Sequence, residues 1–145
     1  MLVRLLYASR AGETLDEKLI EAIVDESRQN NVEHGITGIL CAYPKNGIFM
    51  QVIEGARASV NELYGNIVRD PRHRDVLLLD YSEIEERRFA GWRMGSIDLN
   101  KVNLSTILRY SEKSSLDPYT MTGRGALALV EELASSAAIV SRDGR

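Results

Sequence analysis

The side chain with the clearest chemical meaning in this 145-residue chain is Gln51, an amide inside the apolar run 48–53. A buried amide without hydrogen-bond partners costs roughly 1 to 3 kcal/mol per unpaired group, so polar partners are expected close to it. Turning the amide over exchanges a donor for an acceptor at one point in space, with little change of shape. Gln51 therefore has the chemistry of a hydrogen-bond switch.

Several uncharged polar residues are expected to converge on this amide. Tyr7 lies on the predicted first strand, which in the expected topology is the neighbour of the strand that carries Gln51. Along the predicted first helix, the inward face changes from apolar to polar at Ser27, Asn30 and Asn31. Amides such as those of Asn31 and Gln51 suit the alternating C=O and N–H edge of a planar heterocycle, and a cleft between two helices suits a flat ring.

Each of these residues also has a purely structural interpretation. Asn30 and Asn31 could cap the end of their helix, and Tyr7 could be a core aromatic residue with a satisfied hydroxyl. Trp92 and Met94 are two residues apart on the last predicted strand, so they should share one face, either as core packing or flanking the amide. The residues alone leave these alternatives open.

The hydrophobic periodicity predicts the elements that position these side chains. Thr14 and Glu17 form a capping-box signature at the start of the first helix, and the second helix should cover residues 57–69. Asn46 and Gly47 predict a hairpin, and the charged stretch 83–88 predicts a solvated loop. The predicted strands cover residues 2–8, 36–43, 48–55, 76–81 and 92–97. This β-α-β-β-α-β-β order predicts an α+β, ferredoxin-like sheet with two helices on one face.

The pattern changes near residue 98, where two short helices are predicted, near 103–111 and 124–136. We therefore expect a domain of residues 1–97 and a C-terminal helical appendage of residues 98–145. These helices would either cover the other face of the sheet or lean away. The amphipathic stretch 127–134 could pack on its own sheet or on a partner, so we expect a homo-oligomer. Fewer than 50 residues cannot house an ordinary catalytic domain.

Composition excludes several classes of function. A net charge of -3 and a pI near 5.5 argue against nucleic acid as a partner. The chain begins without a signal-peptide pattern and has no apolar run of about 20 residues, so we expect a cytoplasmic protein with no membrane partner. The single cysteine, Cys41, rules out an internal disulfide and fits a buried strand position. His34 and His73 lack metal-ligand spacing, so no metal is expected.

Catalysis is not expected from the residues. No glycine-rich phosphate loop follows a strand, and Ser9 has no identifiable base that would make it a nucleophile. Two other function classes stay open. An acylphosphatase-like hydrolase can share this architecture, with Arg10 as its candidate for anion binding. A light-independent interaction module, in which Tyr7 and Gln51 are only structural, is the other.

Six segments resemble, in order and spacing, the BLUF family of flavin-binding blue-light sensors. The resemblance covers roughly residues 2–97, and the trailing pair of helices is similar to the short, stand-alone members. The segments are Leu6-Tyr7-Ala8-Ser9, Asn30-Asn31, Gly35-Ile36-Thr37-Gly38, Phe49-Met50-Gln51-Val52-Ile53-Glu54-Gly55, Asp70-Pro71-Arg72-His73 and Phe89-Ala90-Gly91-Trp92-Arg93-Met94.

The resemblance implies a cofactor, FAD with FMN as the alternative, whose ring lies between the two helices. Asn66 departs from the pattern, because some relatives carry a basic residue there that touches the flavin. The implied contacts are Asn31 and Asp70 at the pyrimidine edge, Asn30 and Arg72 beside them, His73 near the ring and Ser27 near its far side.

The resemblance also implies a mechanism in which no substrate is consumed. Light-driven transfer of an electron and a proton from Tyr7 would leave Gln51 rotated or tautomerised, with a new hydrogen bond to the flavin C4 carbonyl. That change should disturb Trp92 and Met94, and through them the C-terminal helices. The signal would then pass to a separate effector protein.

Overall fold

A single six-stranded sheet organises the chain in the computed structural model, which describes residues 1–136 and 139–141. The strands are β1 (Leu2–Ala11), β2 (Thr37–Tyr43), β3 (Ile48–Ala56), β4 (His73–Ile84), β5 (Gly95–Asp98) and β6 (Ile139–Ser141). Their order in the sheet is β4-β1-β3-β2-β5-β6. β2 and β5 run parallel, and the other neighbouring pairs are antiparallel. The short β6 was not predicted.

Two pairs of helices cover the two faces of this sheet. The first pair is α1 (Glu17–His34) and α2 (Arg57–Arg69), and the second is α3 (Leu104–Tyr110) and α4 (Gly123–Ala134). Apolar residues of α1 and α2 share one core with alternate residues of β1 and β3. The intervening residues of these strands form a second core with α3 and α4. The predicted ferredoxin-like α+β fold, with two helices on one face, is confirmed.

The ends of α1 differ from the prediction. The helix is capped by Asp16, whose carboxylate accepts a hydrogen bond from the Leu19 amide at 2.9 Å, so the capping box at Thr14 is wrong. At the other end, α1 continues to His34, and Gly35 closes it with φ of 65°. Asn31 therefore lies one turn inside the helix, and the interpretation of Asn30 and Asn31 as helix caps is wrong.

β4 is twice the predicted length, because it begins at His73 and continues through Glu83 and Ile84. Part of the charged stretch that predicted a loop is therefore strand. β4 lies at the edge of the sheet, where charged side chains can reach water and also protect the edge from pairing with another chain. The charge pattern thus predicted the solvent exposure of this stretch correctly but its secondary structure wrongly.

Trp92 and Met94 do not share a face, contrary to the prediction. Both precede β5, and the chain turns between Phe89 and Trp92, where the Trp92 amide donates to the Phe89 carbonyl at 3.0 Å. Strand alternation does not apply across such a turn. Met94 lies in the core under α1 and α2, whereas Trp92 packs against the core under α3 and α4.

The C-terminal helices cover the chain's own sheet. α4 buries Ala126, Leu129, Val130 and Leu133, spaced so that they form one helical stripe. Gly123, at the start of α4, lies so close to the Leu79 carbonyl of β4 that no Cβ would fit. The last residues of the expected appendage, 137–138 and 142–145, lie outside the described residues. Within the described part of the chain, no helix is both long enough and apolar enough to cross a bilayer.

Candidate functional site

Two adjoining cavities of about 130 and 240 Å³ open between α1 and α2. The smaller one reaches down to the sheet at Gln51, and both are walled by polar residues of α1 and by Asn66 of α2. The structure brings together every residue for which the sequence predicted cofactor contact. Those around the smaller cavity are Ser27, Asn30, Asn31, Gln51, Asp70, Arg72 and His73.

Tyr7 and Gln51 meet at the base of the smaller cavity, as the sequence predicted. They are directly opposite each other in the β1–β3 pair, and the Tyr7 hydroxyl donates a hydrogen bond to Gln51 Oε1. The other end of the amide, Nε2, lies 3.2 Å from Met94 Sδ. Burial raises the pKa of the Tyr7 phenol, with smaller contributions from Tyr64 and Asp70, so the hydroxyl keeps its proton. The switch residue thus has a fixed donor on one side and a soft acceptor on the other.

Asn31 has a buried donor without a partner. Its Nδ2 makes no hydrogen bond in the described part of the chain, although the residue is only 1% exposed and lines both cavities. Leaving such a group unpaired costs about 1 to 3 kcal/mol, which a carbonyl or ring nitrogen in the cavity would offset. The residues therefore fit the flavin that the resemblance implies, whose pyrimidine edge offers both donors and acceptors.

Arg72 bridges the turn after α2 to α1 at the mouth of the cavity. Its guanidinium donates to Asp70 Oδ2 at 2.6 Å and to Glu26 Oε2 at 2.9 Å. These hydrogen bonds hold the pKa of the Asp70 carboxyl below its usual range and raise that of Arg72. Because all three side chains are partly exposed, the bridge orders the mouth of the cavity more than it stabilises the fold.

His73 forms the floor of the cavity near Tyr7 and pairs with a residue whose role the sequence did not reveal. Its Nδ1 lies 2.8 Å from the hydroxyl of Ser9 on β1. Burial lowers the pKa of the imidazole to about 4, with Asp70 opposing that shift and Arg72 adding to it. His73 is therefore neutral near pH 7. Ser9 belongs to a segment that resembles the BLUF family and lies two residues after Tyr7 on the same face of the strand, but neither signal assigned it a role.

Arg28 on α1 is a further residue near the site that the sequence did not predict. Its Nε and Nη2 donate to the Met94 carbonyl at 3.2 and 3.1 Å. Arg28 lies one turn before Asn31, so helical spacing alone could have placed it on the same side of α1. Arg28 of α1 thus holds the backbone of Met94, and Gln51 contacts the Met94 sulfur.

Two residues that the sequence singled out lie away from the cavity. Trp92 lines an open pocket on the other side of the sheet, beside Phe89 and Glu131. Arg10 stacks on the ring of Tyr119, 4.3 Å from its centroid, and lies 3.5 Å from Asp75. Its guanidinium therefore contacts these two groups and does not line either cavity between α1 and α2.

A further cavity of about 200 Å³ lies between α1 and β5, on another side of α1. Its charged lining consists of Glu17, Glu21, Asp25 and Asp98 together with Arg28 and Lys101. Gln51 does not line it, and its charged side chains do not match the amide chemistry around Gln51. The cleft between α1 and α2 is therefore the better candidate site.

Comparison with known proteins gives one consistent family. A profile of the BLUF family, the sensors of blue-light using FAD, matches residues 2–95. Subunit beta of the photoactivated adenylate cyclase of Euglena longa is 34% identical over 96 residues, which are 66% of this chain and 11% of that protein. Because the chain spans only about a tenth of the cyclase subunit, the cyclase activity is not carried over.

Two solved structures match nearly the whole chain. The structure of BlsA in its photo-activated state has a TM-score of 0.82 at 28% identity, covering 95% of this chain and 98% of that one. The dark-state structure of BlrB, described as a BLUF protein, has a TM-score of 0.75 at 31% identity, covering 92% and 95%. The similarity thus includes the C-terminal helices, beyond the part that the family profile matches.

Proposed function

Because this chain belongs to the BLUF family, the sensors of blue light using FAD, we propose that it is a photoreceptor that binds a flavin between α1 and α2 and signals through Gln51. One observation carries the proposal: the amide of Gln51 is held between the Tyr7 hydroxyl and the Met94 sulfur at the base of the cavity. Such an amide can exchange its two contacts without moving the backbone.

Seven residues would hold the cofactor, which we propose is FAD, with FMN as the alternative. The unpaired Asn31 amide and Asp70 would bind the pyrimidine edge, with Asn30 and Arg72 beside them. His73 would lie near the ring, Ser27 near its far side, and Gln51 beneath it. When bound, the flavin supplies absorption of blue light and, once excited, a strong oxidant.

Tyr7 is the donor in the light reaction that we propose. Tyr7 would give an electron and its phenolic proton to the excited flavin, and both would return to Tyr7 before the cycle ends, so nothing would be consumed. Meanwhile Gln51 turns over or tautomerises. Turning over would bring Nε2 towards Tyr7 and Oε1 towards Met94, so the contact between the amide and the sulfur would be lost. Gln51 would then store the signal after the proton has returned.

Met94 would pass the change on. It immediately precedes β5, and its carbonyl accepts hydrogen bonds from Arg28, so a shift of its side chain would displace β5 and the turn that carries Trp92. Through Trp92 the change would reach the core that contains α4. We propose that a separate cytoplasmic effector protein reads these helices, and that the receptor acts as a homo-oligomer.

The test is a light-minus-dark absorption spectrum of the purified protein after addition of FAD, and separately of FMN. A yellow protein with a small red shift of its flavin band under blue light, reversible in the dark, is the expected result. A protein that takes up neither flavin would falsify the proposal. If flavin binds but no shift appears, the light-independent interaction module becomes the better description.

The roles of Tyr7 and Gln51 are tested in the same assay. Tyr7→Phe and Gln51→Leu should keep the flavin and lose the red shift, because one lacks the proton donor and the other lacks the amide. Tyr43→Phe is the matched control, since Tyr43 packs in the core on the other side of the sheet. Normal cycling by either test variant would contradict the proposed switch.

A further inference from the structure

Asp75 has an unusual backbone conformation next to the candidate site. Among the described residues it is the single non-glycine residue with a positive φ, 50°. It lies two residues after His73, where the register between β4 and β1 shifts. Such a conformation is uncommon for residues other than glycine, and it persists only where the surroundings hold it.

The groups that hold Asp75 come from opposite ends of the chain. The Tyr119 hydroxyl donates to the Asp75 carbonyl at 2.7 Å. Arg10, near the end of β1, lies 3.5 Å from the Asp75 carboxylate and stacks on the Tyr119 ring. Tyr119 itself is fixed in the 3₁₀ turn Pro118–Thr120, which Asp117 caps. Three side chains thus form one clamp between β1, β4 and the C-terminal segment.

The turn on the cavity side of Asp75 is fixed by the same part of β1. Ser9 bonds to His73, and the amide of Gly12 donates to the Arg72 carbonyl at 3.0 Å. Gly12 lies against the Pro71 carbonyl so closely that a Cβ would clash with it. Since neighbouring residues of a strand point to opposite faces, Ser9 and Arg10 connect the cavity to the C-terminal segment through one stretch of backbone.

We propose that Tyr119 and Arg10 are positioning residues for the flavin site: by holding Asp75, the C-terminal segment fixes the turn of residues 70–73 in its binding geometry. Through Asp75, these contacts also connect this turn to Tyr119, separately from the route through Met94 and Trp92. This inference rests on the proposed flavin site, but the clamp itself can be measured without flavin.

The first test is Tyr119→Phe, which removes one hydroxyl and keeps the ring on which Arg10 stacks. Loss of one hydrogen bond should weaken FAD binding, measured by fluorescence titration, about two- to tenfold. In the flavin-free protein, amide hydrogen exchange of residues 73–77 should become faster by a similar factor. Tyr110→Phe is the matched control, because the Tyr110 hydroxyl bonds to Glu132 of α4 and not to β4.

A second pair of variants tests the backbone of Asp75. Valine is strongly disfavoured at positive φ, whereas asparagine tolerates it. Asp75→Val should therefore turn the carbonyl away from Tyr119 and weaken FAD binding at least as much as Tyr119→Phe. Asp75→Asn should stay within about twofold of the wild type, since it keeps the backbone that Tyr119 holds, and the exposed ion pair that it removes contributes little. Arg10 keeps its stacking on Tyr119 in this variant.

The outcomes separate the clamp from the proposed function. If Tyr119→Phe and Tyr110→Phe show the same FAD affinity and the same amide exchange, the clamp is overturned. Equal affinity for Asp75→Val and Asp75→Asn would overturn it as well. If the wild type takes up no flavin, the proposed function fails, and the exchange of residues 73–77 in the flavin-free variants still decides whether the clamp exists.

Discussion

Buried polar side chains on the two faces of the sheet differ in where their hydrogen-bond partners come from. On the face under α1 and α2, Gln51, Asn31 and His73 surround a cavity, and the Asn31 amide keeps an unpaired donor. On the face under α3 and α4, the buried Glu54 is fully paired. It accepts from Arg4 at 2.8 Å and from the amides of Arg88 and Phe89 at 3.1 and 2.8 Å. On the first face an amide donor remains available to a ligand, whereas on the second the buried carboxylate finds all its partners within the chain.

This difference follows from the cost of burying polar atoms. A polar group in a dry core must find its partners within the chain, and for a charge the cost of failing is several kcal/mol. A group that borders a cavity can instead take its partner from a ligand. Buried polar side chains therefore contribute to stability on one face and to ligand binding on the other. Mutations can separate these two contributions.

The largest effect is expected at Glu54. Replacing Glu54 with Gln leaves the Arg4 guanidinium buried without its counter-charge, so the free energy of unfolding should fall by about 3 to 5 kcal/mol. Denaturant unfolding of the flavin-free protein measures this. Glu83→Gln is the control, because Glu83 pairs with Arg57 at the surface and should contribute about 1 kcal/mol or less. Equal losses for the two variants would mean that the buried ion pair of Glu54 and Arg4 contributes no more to stability than a surface ion pair.

The next effect is a pH dependence that originates on the cavity face. The unfolded chain protonates His73 below about pH 6.5, whereas the folded protein does so only near pH 4. The unfolded state therefore binds more protons in this window. As the pH falls through it, the free energy of unfolding should drop by about 3 kcal/mol and then level off below pH 4.

His73→Gln should abolish this part of the pH dependence. His34→Gln changes the other histidine, which is exposed, and should leave the wild-type curve intact. Both are measured by denaturant unfolding of the flavin-free protein at a series of pH values. A curve for His73→Gln that is parallel to the wild type would show that the imidazole is not held in its neutral form by burial.

The smallest effect on stability, with a clear effect on binding, is expected at Asn31. Asn31→Leu removes the unpaired donor, so the stability of the flavin-free protein should stay the same or rise by up to about 1 kcal/mol. The FAD dissociation constant should rise about tenfold, because the donor to the ring is lost. Asn61→Leu, an exposed change on α2, should leave FAD affinity unchanged. A loss of stability in Asn31→Leu without a loss of FAD affinity would mean that Asn31 stabilises the fold and does not bind the flavin.

Much of the site could be predicted because local pattern and residue type carried it. The helix of residues 57–69 has the predicted bounds, since its apolar stripe is regular and Asp70-Pro71 ends it. Tyr7 and Gln51 could be paired in advance, because the order of elements makes their strands neighbours in a ferredoxin-like sheet. The resemblance to the BLUF family, confirmed by the profile match, supplied the remaining residues around the cavity.

The errors occur where a local pattern was extended across an irregular segment. Alternation placed Trp92 and Met94 on one face, but the turn at residues 89–92 separates them into different cores. The charges of residues 83–88 suggested a loop, whereas two of these residues extend an edge strand. Periodicity describes regular backbone only, so it could not locate either change.

What the sequence by itself determined is the set of chemical groups and the regular elements that carry them: a phenol, an amide switch, polar residues on the inner face of one helix, and a sheet with two apolar faces. Beyond the pair of Tyr7 and Gln51, only the tertiary structure decided which polar groups of the site have a partner. Ser9 meets His73 across 64 positions of sequence, and the Asn31 donor is left without a partner. Hydrogen-bond satisfaction depends on long-range contacts, and residue spacing along the chain does not contain them.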